Sequence, residues 1–170
     1  MSSRFDQILG QQLSTPWQIA NHITWGKKRA YGVQNNYLFT REECLYLIKG
    51  DPKKPRKFNP PYLDEKRSYA GYNPKYPAKD ERYRRTNVWT DITEILQGKK
   101  HPAEKPTILY EIPILTHTEP GEWVLDTYAG SGTLAEACRK HDRKFCLVER
   151  DEKSFAICAQ RIDNNDFESW

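Results

Sequence analysis

The last third of the chain has the most regular spacing of apolar and polar positions. Two apolar runs of strand length end in an acid, at Asp126 and at Glu149, and a segment with helical spacing follows each of them. The predicted strands are Glu122–Asp126 and Lys144–Glu149, and the predicted helices are Thr107–Thr116, Thr133–Lys140 and Glu152–Ile162, with Phe155, Cys158, Ala159 and Ile162 on one face of the last. Pro113 should kink the first helix. Strand, loop, helix, strand and helix in this order predict a βαβ unit with parallel strands.

Two further apolar segments lie near the N-terminus. The runs Trp17–Trp25 and Glu43–Ile48 predict strands, and the spacing from Phe5 to Leu13 predicts a short helix. The residues between the two strands, 26–37, contain two glycines and an Asn-Asn pair, so we expect a loop there.

The middle of the chain, residues 50–105, has no regular period. It holds most of the prolines and interleaves tyrosines with lysines and arginines. Such long irregular segments are functional or disordered, and the aromatic residues argue against plain disorder. Within this segment, Asn87–Ile95 is interpreted as a short turn or helix anchored by Trp89.

The charge of the chain is unevenly distributed. The formal net charge is +4, but residues 49–105 contain 15 Lys and Arg against 8 Asp and Glu, whereas residues 106–170 contain 7 against 12. A polyanion is therefore a candidate partner for the middle of the chain. A solvated surface loop is the alternative interpretation.

Composition restricts the other classes of site. The four cysteines form no C-x-x-C pair, and we expect buried free thiols in a reducing cytoplasm. His22 and His101 have no metal-ligand spacing, so no metal site is predicted. No apolar run reaches the length of a membrane span, and residues 1–6 do not have the pattern of a signal peptide.

The loop after Asp126 carries the clearest candidate chemistry. Gly130 and Gly132 let the main chain turn tightly and lie against a ligand, and the helix that follows points free N–H groups at it. Glu149, 23 positions after Asp126, is placed to accept hydrogen bonds from ribose hydroxyls. The loop lacks Gly-Lys-Ser/Thr and the G-x-G-x-x-G spacing, which excludes a Walker loop and a nicotinamide fingerprint. A purely structural glycine turn is the alternative.

These motifs resemble those of a known family. The segment DTYAGSGT is similar to the D-P-F-x-G-S-G-T motif of N4-cytosine and N6-adenine DNA methyltransferases, and HPAEKP, residues 101–106, is similar to their H-P-x-x-K-P motif. The sequence RKFCLVERDEKSFAICAQRI, together with NVWTDI and ITW, also resembles the beta arrangement of this family. The resemblance implies an α/β, Rossmann-like S-adenosylmethionine-dependent fold, apparently incomplete, with an irregular basic insertion.

The resemblance also implies a division of the chain and a set of cofactor contacts. Residues 1–50 would hold the later strands of the sheet, 51–100 the target-recognition insertion and 101–170 the S-adenosylmethionine-binding half, together forming one domain. The implied cofactor-binding residues are Asp126, Tyr128, Ala129, Gly130, Ser131, Gly132, Thr133, Glu149, Lys105, Pro106 and Thr107. Thr127 and Tyr128 replace the family's proline and phenylalanine, so we expect a looser turn that keeps its aromatic ring.

The family's catalytic motif is Asp/Asn/Ser-Pro-Pro-Tyr at the end of an apolar strand, where it holds the amine of a flipped base. Asn59, Pro60, Pro61 and Tyr62 have the right letters, but a charged segment broken by prolines precedes them. We therefore interpret them as a chance match inside the insertion, with a catalytic role as the alternative. The catalytic strand would then lie upstream, and a second chain, a second copy or a rearranged sheet would fill the gap it leaves.

The insertion would form the DNA surface. The candidate phosphate contacts are Lys53, Lys54, Arg56, Lys57, Arg82, Arg84 and Arg85. The expected activity is methylation of an exocyclic amine in DNA, adenine N6 ahead of cytosine N4, in a bacterial or phage-infected cell and in a restriction-modification setting. A non-catalytic module that binds S-adenosylmethionine, DNA or a methyltransferase partner is the main alternative, and a small-molecule or RNA methyltransferase is the third.

Overall fold

A computed structural model describes residues 16–32, 34–35, 37–51, 53–66, 82–95 and 104–163. The elements are β1 (Trp17–Tyr31), β2 (Phe39–Lys49), β3 (Tyr62–Lys66), β4 (Arg82–Arg84), β5 (Val88–Trp89), α1 (Ile108–His117), β6 (Trp123–Asp126), α2 (Thr133–Lys140), β7 (Lys144–Leu147) and α3 (Glu152–Asp163). The helix predicted from Phe5 to Leu13 and the residue His101 lie outside the described residues.

These elements belong to two compact units. The described residues of Met1–Phe58 and Arg85–Asp91 form the first, and those of Asn59–Arg84 and Ile92–Trp170 form the second. In the first unit, β1 pairs with β2 as an antiparallel hairpin and with β5 in parallel, so that the sheet order is β2-β1-β5. Trp25 and Trp89, paired across β1 and β5, are both buried and form the centre of this unit.

Two predictions for the first unit are wrong. The segment Gly26–Tyr31 was expected to be a loop, but it continues β1, because the hairpin supplies cross-strand partners as far as the pair Tyr31 and Phe39. The segment around Trp89 was expected to be a turn or helix, but Val88–Trp89 is a short strand. Its pairing with Thr24 and Trp25 depends on residues more than sixty positions earlier in the chain.

The second unit contains the predicted βαβ arrangement. β6 and β7 pair in parallel, in register from Trp123 with Lys144 to Asp126 with Leu147. The residues Ile114, Leu134, Ala137 and Cys138 form a buried cluster that joins α1 to α2, and Val124, Phe145 and Leu147 pack against it from the strands. The predicted strands and helices of the last third are therefore confirmed, with Glu149 lying just beyond the end of β7.

Pro113 lies inside α1 on an exposed position, where the helix accommodates it. All four cysteines are free thiols, as expected. The prediction that they are buried holds only for Cys138 and Cys158, because Cys44 and Cys146 lie on outward-facing positions of β2 and β7.

Candidate functional site

The loop between β6 and α2 is a tight main-chain turn held by local hydrogen bonds. The Tyr128 N–H donates to a carboxylate oxygen of Asp126 at 2.9 Å. The Ala129 N–H donates to the carbonyl of Val148 at 3.1 Å, and the Gly132 N–H donates to the carbonyl of Ala129 at 2.8 Å. The loop is thus fixed to the end of β7 as well as to β6.

Glycine is required at two positions of this loop. Gly130 has φ +53° and Gly132 has φ +81°, both in the left-handed region that side chains rarely adopt. A Cβ atom at Gly132 would also stand 2.8 Å from the Sγ atom of Cys158 on α3. Gly132 is the N-cap of α2 and has no side chain with which to cap the first N–H groups of this helix.

Glu149 holds the opposite side of the loop. One carboxylate oxygen accepts the Gly130 N–H at 2.8 Å, and the other accepts the Asp151 N–H at 2.8 Å. These two donors, with that of Asp151 the stronger influence, hold the pKa of Glu149 below its ordinary value. Because its pKa is lowered, the carboxylate stays ionised. Each carboxylate oxygen has two lone pairs, so Glu149 can accept further donors from a ligand.

An apolar cavity of about 290 Å³ adjoins Glu149. Phe145 and Leu147 of β7 form one wall, and Phe155, Cys158, Ala159 and Ile162 of α3 form the other. The four residues predicted to share one face of α3 therefore do lie on one face. That face borders an open cavity, which explains why Phe155 remains exposed.

Arg161 of α3 joins the loop to the segment before α1. Its Nη1 atom donates to the Ser131 carbonyl at 3.1 Å, and its Nη2 atom lies 2.9 Å from Glu104 and 3.3 Å from Glu136. The Glu104 side chain is only 3% exposed. Thr107 donates its hydroxyl to Glu136 at 3.1 Å, so four segments of the second unit meet in one buried polar cluster.

The sequence reasoning did not identify Arg161 as part of the site. The position of Arg161 could have indicated this role. Arg161 lies three residues after Cys158, on the inward side of an amphipathic helix, where a lone arginine needs acidic partners. One acidic partner is Glu104, which lies in the HPAEKP segment. The sequence had indicated only Lys105, Pro106 and the following Thr107 as cofactor contacts there. All three of those residues are half-buried.

The substitution Arg161→Lys should weaken this cluster without changing the net charge. An ammonium group cannot reproduce the fork that reaches a carbonyl and two carboxylates together. We expect a loss of about 1–2 kcal/mol in the free energy of unfolding by urea titration, the size of one or two net hydrogen bonds. Arg139→Lys is the control, because Arg139 is an exposed arginine whose contacts with the Ile162 carbonyl and the Phe145 ring lie outside this cluster. Equal losses in the two variants would contradict the assignment.

The Asn59-Pro60-Pro61-Tyr62 segment lies in irregular chain that leads into β3. The Asn59 N–H donates to the Thr116 carbonyl at 2.8 Å, and its side-chain amide donates to the Leu115 carbonyl at 3.3 Å. Asn59 therefore binds carbonyl groups near the C-terminal end of α1. No strand runs directly into Asn59, because β2 ends at Lys49 and residues 53–58 are irregular.

The predicted phosphate contacts differ in their environments. Lys53, Lys54, Arg56 and Arg84 are exposed and Lys57 is half-buried, whereas the side chain of Arg82 lies outside what the structure describes. Arg85 binds Asp91 through two hydrogen bonds of 2.7 Å each and lies 5.6 Å from the centre of the Trp89 ring. This bidentate pair lowers the pKa of Asp91 and favours a structural role for Arg85.

The described residues contain no group of His, Cys, Asp and Glu side chains that could hold a metal ion. His22 instead lies 2.6 Å from Glu43 across the hairpin. No helix within the described ranges is long and apolar enough to cross a membrane.

The relatives found by sequence comparison are of one kind, DNA methylases. A sequence model of the family described as "DNA methylase" matches residues 1–160. Type II methyltransferase M2.DpnII of Streptococcus pneumoniae is 28% identical over 152 residues, covering 86% of this chain and 52% of that protein. Type II methyltransferase M.Cfr9I of Citrobacter freundii is 28% identical over 153 residues, covering 88% and 46%. The chain spans about half the length of these curated relatives.

Solved structures show the same fold. The crystal structure of the M1.HpyAVI–SAM complex matches with a TM-score of 0.67 at 26% identity, over 96% of this chain and 72% of that one. The cytosine-N4-specific PvuII DNA methyltransferase matches with a TM-score of 0.65 at 16% identity, over 96% and 58%, which concerns the fold alone. The predicted Rossmann-like α/β fold class is confirmed.

Proposed function

The chain belongs to the DNA methylase family of N6-adenine and N4-cytosine methyltransferases, and we propose that it is the part of such an enzyme that binds S-adenosylmethionine and contacts DNA. The observation that carries this proposal is the pairing of Glu149 with the glycine loop. A carboxylate that accepts the Gly130 N–H at 2.8 Å brings the acid and the bare main chain of the loop to one place.

The residues present fit an adenosyl ligand. Glu149 retains lone pairs for the two ribose hydroxyls, and Gly130 and Gly132 leave the main chain of the loop without side chains. The apolar cavity beside Glu149 suits the adenine ring, and Asp126 at the end of β6 suits the cationic methionine end. When bound, this cofactor supplies an electrophilic methyl group; the chain itself positions it and holds the surrounding charges.

The proposed acceptor is an exocyclic amine of DNA, with adenine N6 tested ahead of cytosine N4. Transfer needs the amine held in line with the methyl group and its base turned out of the duplex. Because no strand runs directly into Asn59, we propose that Asn59–Tyr62 is not the motif that holds the amine. That motif would come from the remainder of a full-length methylase, on the same polypeptide, in a second chain or in a second copy.

We propose that DNA contacts exposed cations of the basic insertion. The exposed candidates among the described residues are Lys53, Lys54, Arg56 and Arg84, and Lys57 is half-buried.

Calorimetry on the full chain tests the cofactor proposal. We expect heat and a saturable isotherm with S-adenosylmethionine and with its demethylated product, and the same affinity in Glu152→Gln, which removes a neighbouring exposed carboxylate outside the loop. No heat with either compound would refute the cofactor site.

The main alternative is a module that binds cofactor and DNA without catalysis. The irregular chain before Asn59, where the family's motif follows an apolar strand, favours it for the chain on its own. Transfer of labelled methyl to DNA, followed by mass spectrometry of the digested bases, separates the two and identifies N6-methyladenine or N4-methylcytosine. Activity that Asn59→Ala abolishes would instead make Asn59 catalytic.

A further inference from the structure

The hydroxyl groups of Ser131 and Thr133 lie on the buried side of the glycine loop. The sequence predicts both residues as cofactor contacts, but they are only 3% and 4% exposed. The Ser131 Oγ and Thr133 Oγ1 atoms lie 3.2 Å and 3.3 Å from the Nη1 atom of Arg161, and 3.4 Å from each other. We therefore expect these two hydroxyl groups to bind the arginine rather than a ligand.

Arg161 also fixes one peptide group of the loop. Its Nη1 atom donates to the Ser131 carbonyl at 3.1 Å. Because a peptide group is planar, the direction of this carbonyl also sets the direction of the N–H that follows it, that of Gly132. The Gly132 N–H closes the turn by donating to the Ala129 carbonyl at 2.8 Å. The guanidinium thus supports the turn at the residue with φ +81°.

The other terminal nitrogen of the guanidinium is anchored by carboxylates. Nη2 lies 2.9 Å from Glu104 and 3.3 Å from Glu136, whose side chains are 3% and 13% exposed. Arg161 itself belongs to α3, the helix that forms one wall of the cavity beside Glu149. One planar guanidinium therefore joins the loop to this wall, and these are two sides of the proposed cofactor site.

Stability alone would not favour this arrangement. The Nε atom of Arg161 is buried and, within the described part of the chain, has no hydrogen-bond partner. A buried donor without an acceptor lowers stability, and a buried ion pair is often no more stabilising than apolar side chains of similar volume. An arginine that is kept here at this cost favours a role in shaping the loop.

We propose that Arg161 is a positioning residue for cofactor binding, which holds the glycine loop from its buried side through Ser131 and Thr133. The inference rests on the proposed function and deepens it by dividing the predicted loop contacts into two groups. Gly130 and Glu149 face the cofactor, whereas the hydroxyl groups of Ser131 and Thr133 act on it only through the shape of the loop.

A double-mutant cycle in affinity tests the proposal. Arg161→Lys, Ser131→Ala and the nearly isosteric Thr133→Val are titrated with S-adenosylmethionine by calorimetry, and so are the two double variants that contain Arg161→Lys. We expect Arg161→Lys to lose about tenfold in affinity and each hydroxyl variant about fivefold, the size of one net hydrogen bond. The double variants should lose little more than Arg161→Lys alone, because both changes remove the same contact. Direct contacts with the cofactor would instead give additive losses of about fiftyfold.

Ile114→Val separates positioning from a general loss of stability. Ile114 is 3% exposed in the core cluster between α1 and α2 and is not among the residues that line the cavity beside Glu149. Removing one of its methyl groups lowers stability, but it should leave the affinity unchanged at temperatures where the chain is folded. Arg161→Lys should lose affinity at those same temperatures. If Arg161→Lys does not fold, Glu136→Gln, which weakens one anchor of the guanidinium, takes its place in the cycle.

The outcomes distinguish this inference from the proposed function. Wild-type chain that binds S-adenosylmethionine, with Arg161→Lys binding equally tightly, overturns the positioning role and leaves the cofactor proposal in place. Additive losses in the cycle also overturn it, because Ser131 and Thr133 would then contact the cofactor directly. Affinity losses that follow stability equally in Ile114→Val and Arg161→Lys overturn it too. Wild-type chain that binds no cofactor overturns both proposals.

Discussion

Gly132→Ala should destabilise the chain strongly and abolish cofactor binding at concentrations that saturate the wild type. The new Cβ atom would meet Cys158 Sγ at 2.8 Å and would sit on main chain with φ +81°. Left-handed strain costs about 1–2 kcal/mol and an overpacked contact about 1–3 kcal/mol. Either the loop or α3 must then move, and both border the cavity beside Glu149.

The chain provides a matched control for this prediction. Gly121 has φ +83°, but nothing lies within 4 Å of a Cβ atom built there, so Gly121→Ala carries the strain without the clash. In addition, Cys158→Ala in the Gly132→Ala background removes Sγ and should recover part of the unfolding free energy and of the affinity. Equal losses for Gly121→Ala and Gly132→Ala by urea titration would show that the contact with Cys158 has no effect.

Glu149→Gln should reduce the affinity for S-adenosylmethionine by about ten- to a hundredfold. The amide is neutral, and one of its two acceptor positions becomes a donor that faces the N–H of Gly130 or Asp151. Both the loop and the proposed ribose contact therefore lose hydrogen bonds to a charged group, which are stronger than those to a neutral one. Calorimetry against Glu152→Gln, which should bind like the wild type, measures the effect.

The pH dependence of the same variant is a second measurement. Donors from Asp151 and Gly130 hold the pKa of Glu149 below its ordinary value. Because the pKa of Glu149 is lowered in the folded state, the stabilisation that its hydrogen bonds give the loop is complete above the ordinary glutamate range. It is lost as the pH falls through the lowered pKa. Wild-type affinity should therefore fall in that acidic window, and Glu149→Gln should lack this step. A step of the same size in Glu149→Gln would assign it to another carboxylate.

The sequence predicted the βαβ half well because its signals are local. The apolar runs ending at Asp126 and Glu149 and the glycines between them specify strand, turn and helix within a few residues. The structure confirms those elements and the predicted fold class, with β6 and β7 parallel. The roles given to the individual loop residues stay predictions that the two variants above test.

The remaining features depend on partners distant in sequence. Gly26 and Gly32 suggested a loop, but pairing with β2 keeps the chain extended as far as Tyr31. The Val88–Trp89 strand is only two residues long, which is too short to predict from its own sequence. It forms because it pairs with β1. The Arg161 cluster combines residues from four segments, so no single stretch of sequence shows that Glu104 and Glu136 share one guanidinium.

The path of the chain between the two units has a practical consequence. Residues 59–84 belong to the second unit, residues 85–91 belong to the first, and residues 92 onward belong to the second again. No single cut can therefore yield both units intact. A fragment ending at Phe58 would lose β5, whose buried Trp89 pairs with the buried Trp25 of β1. A protease nick within residues 59–84 should release no separable piece from the native protein, and any dissection must keep Arg85–Asp91 with the hairpin.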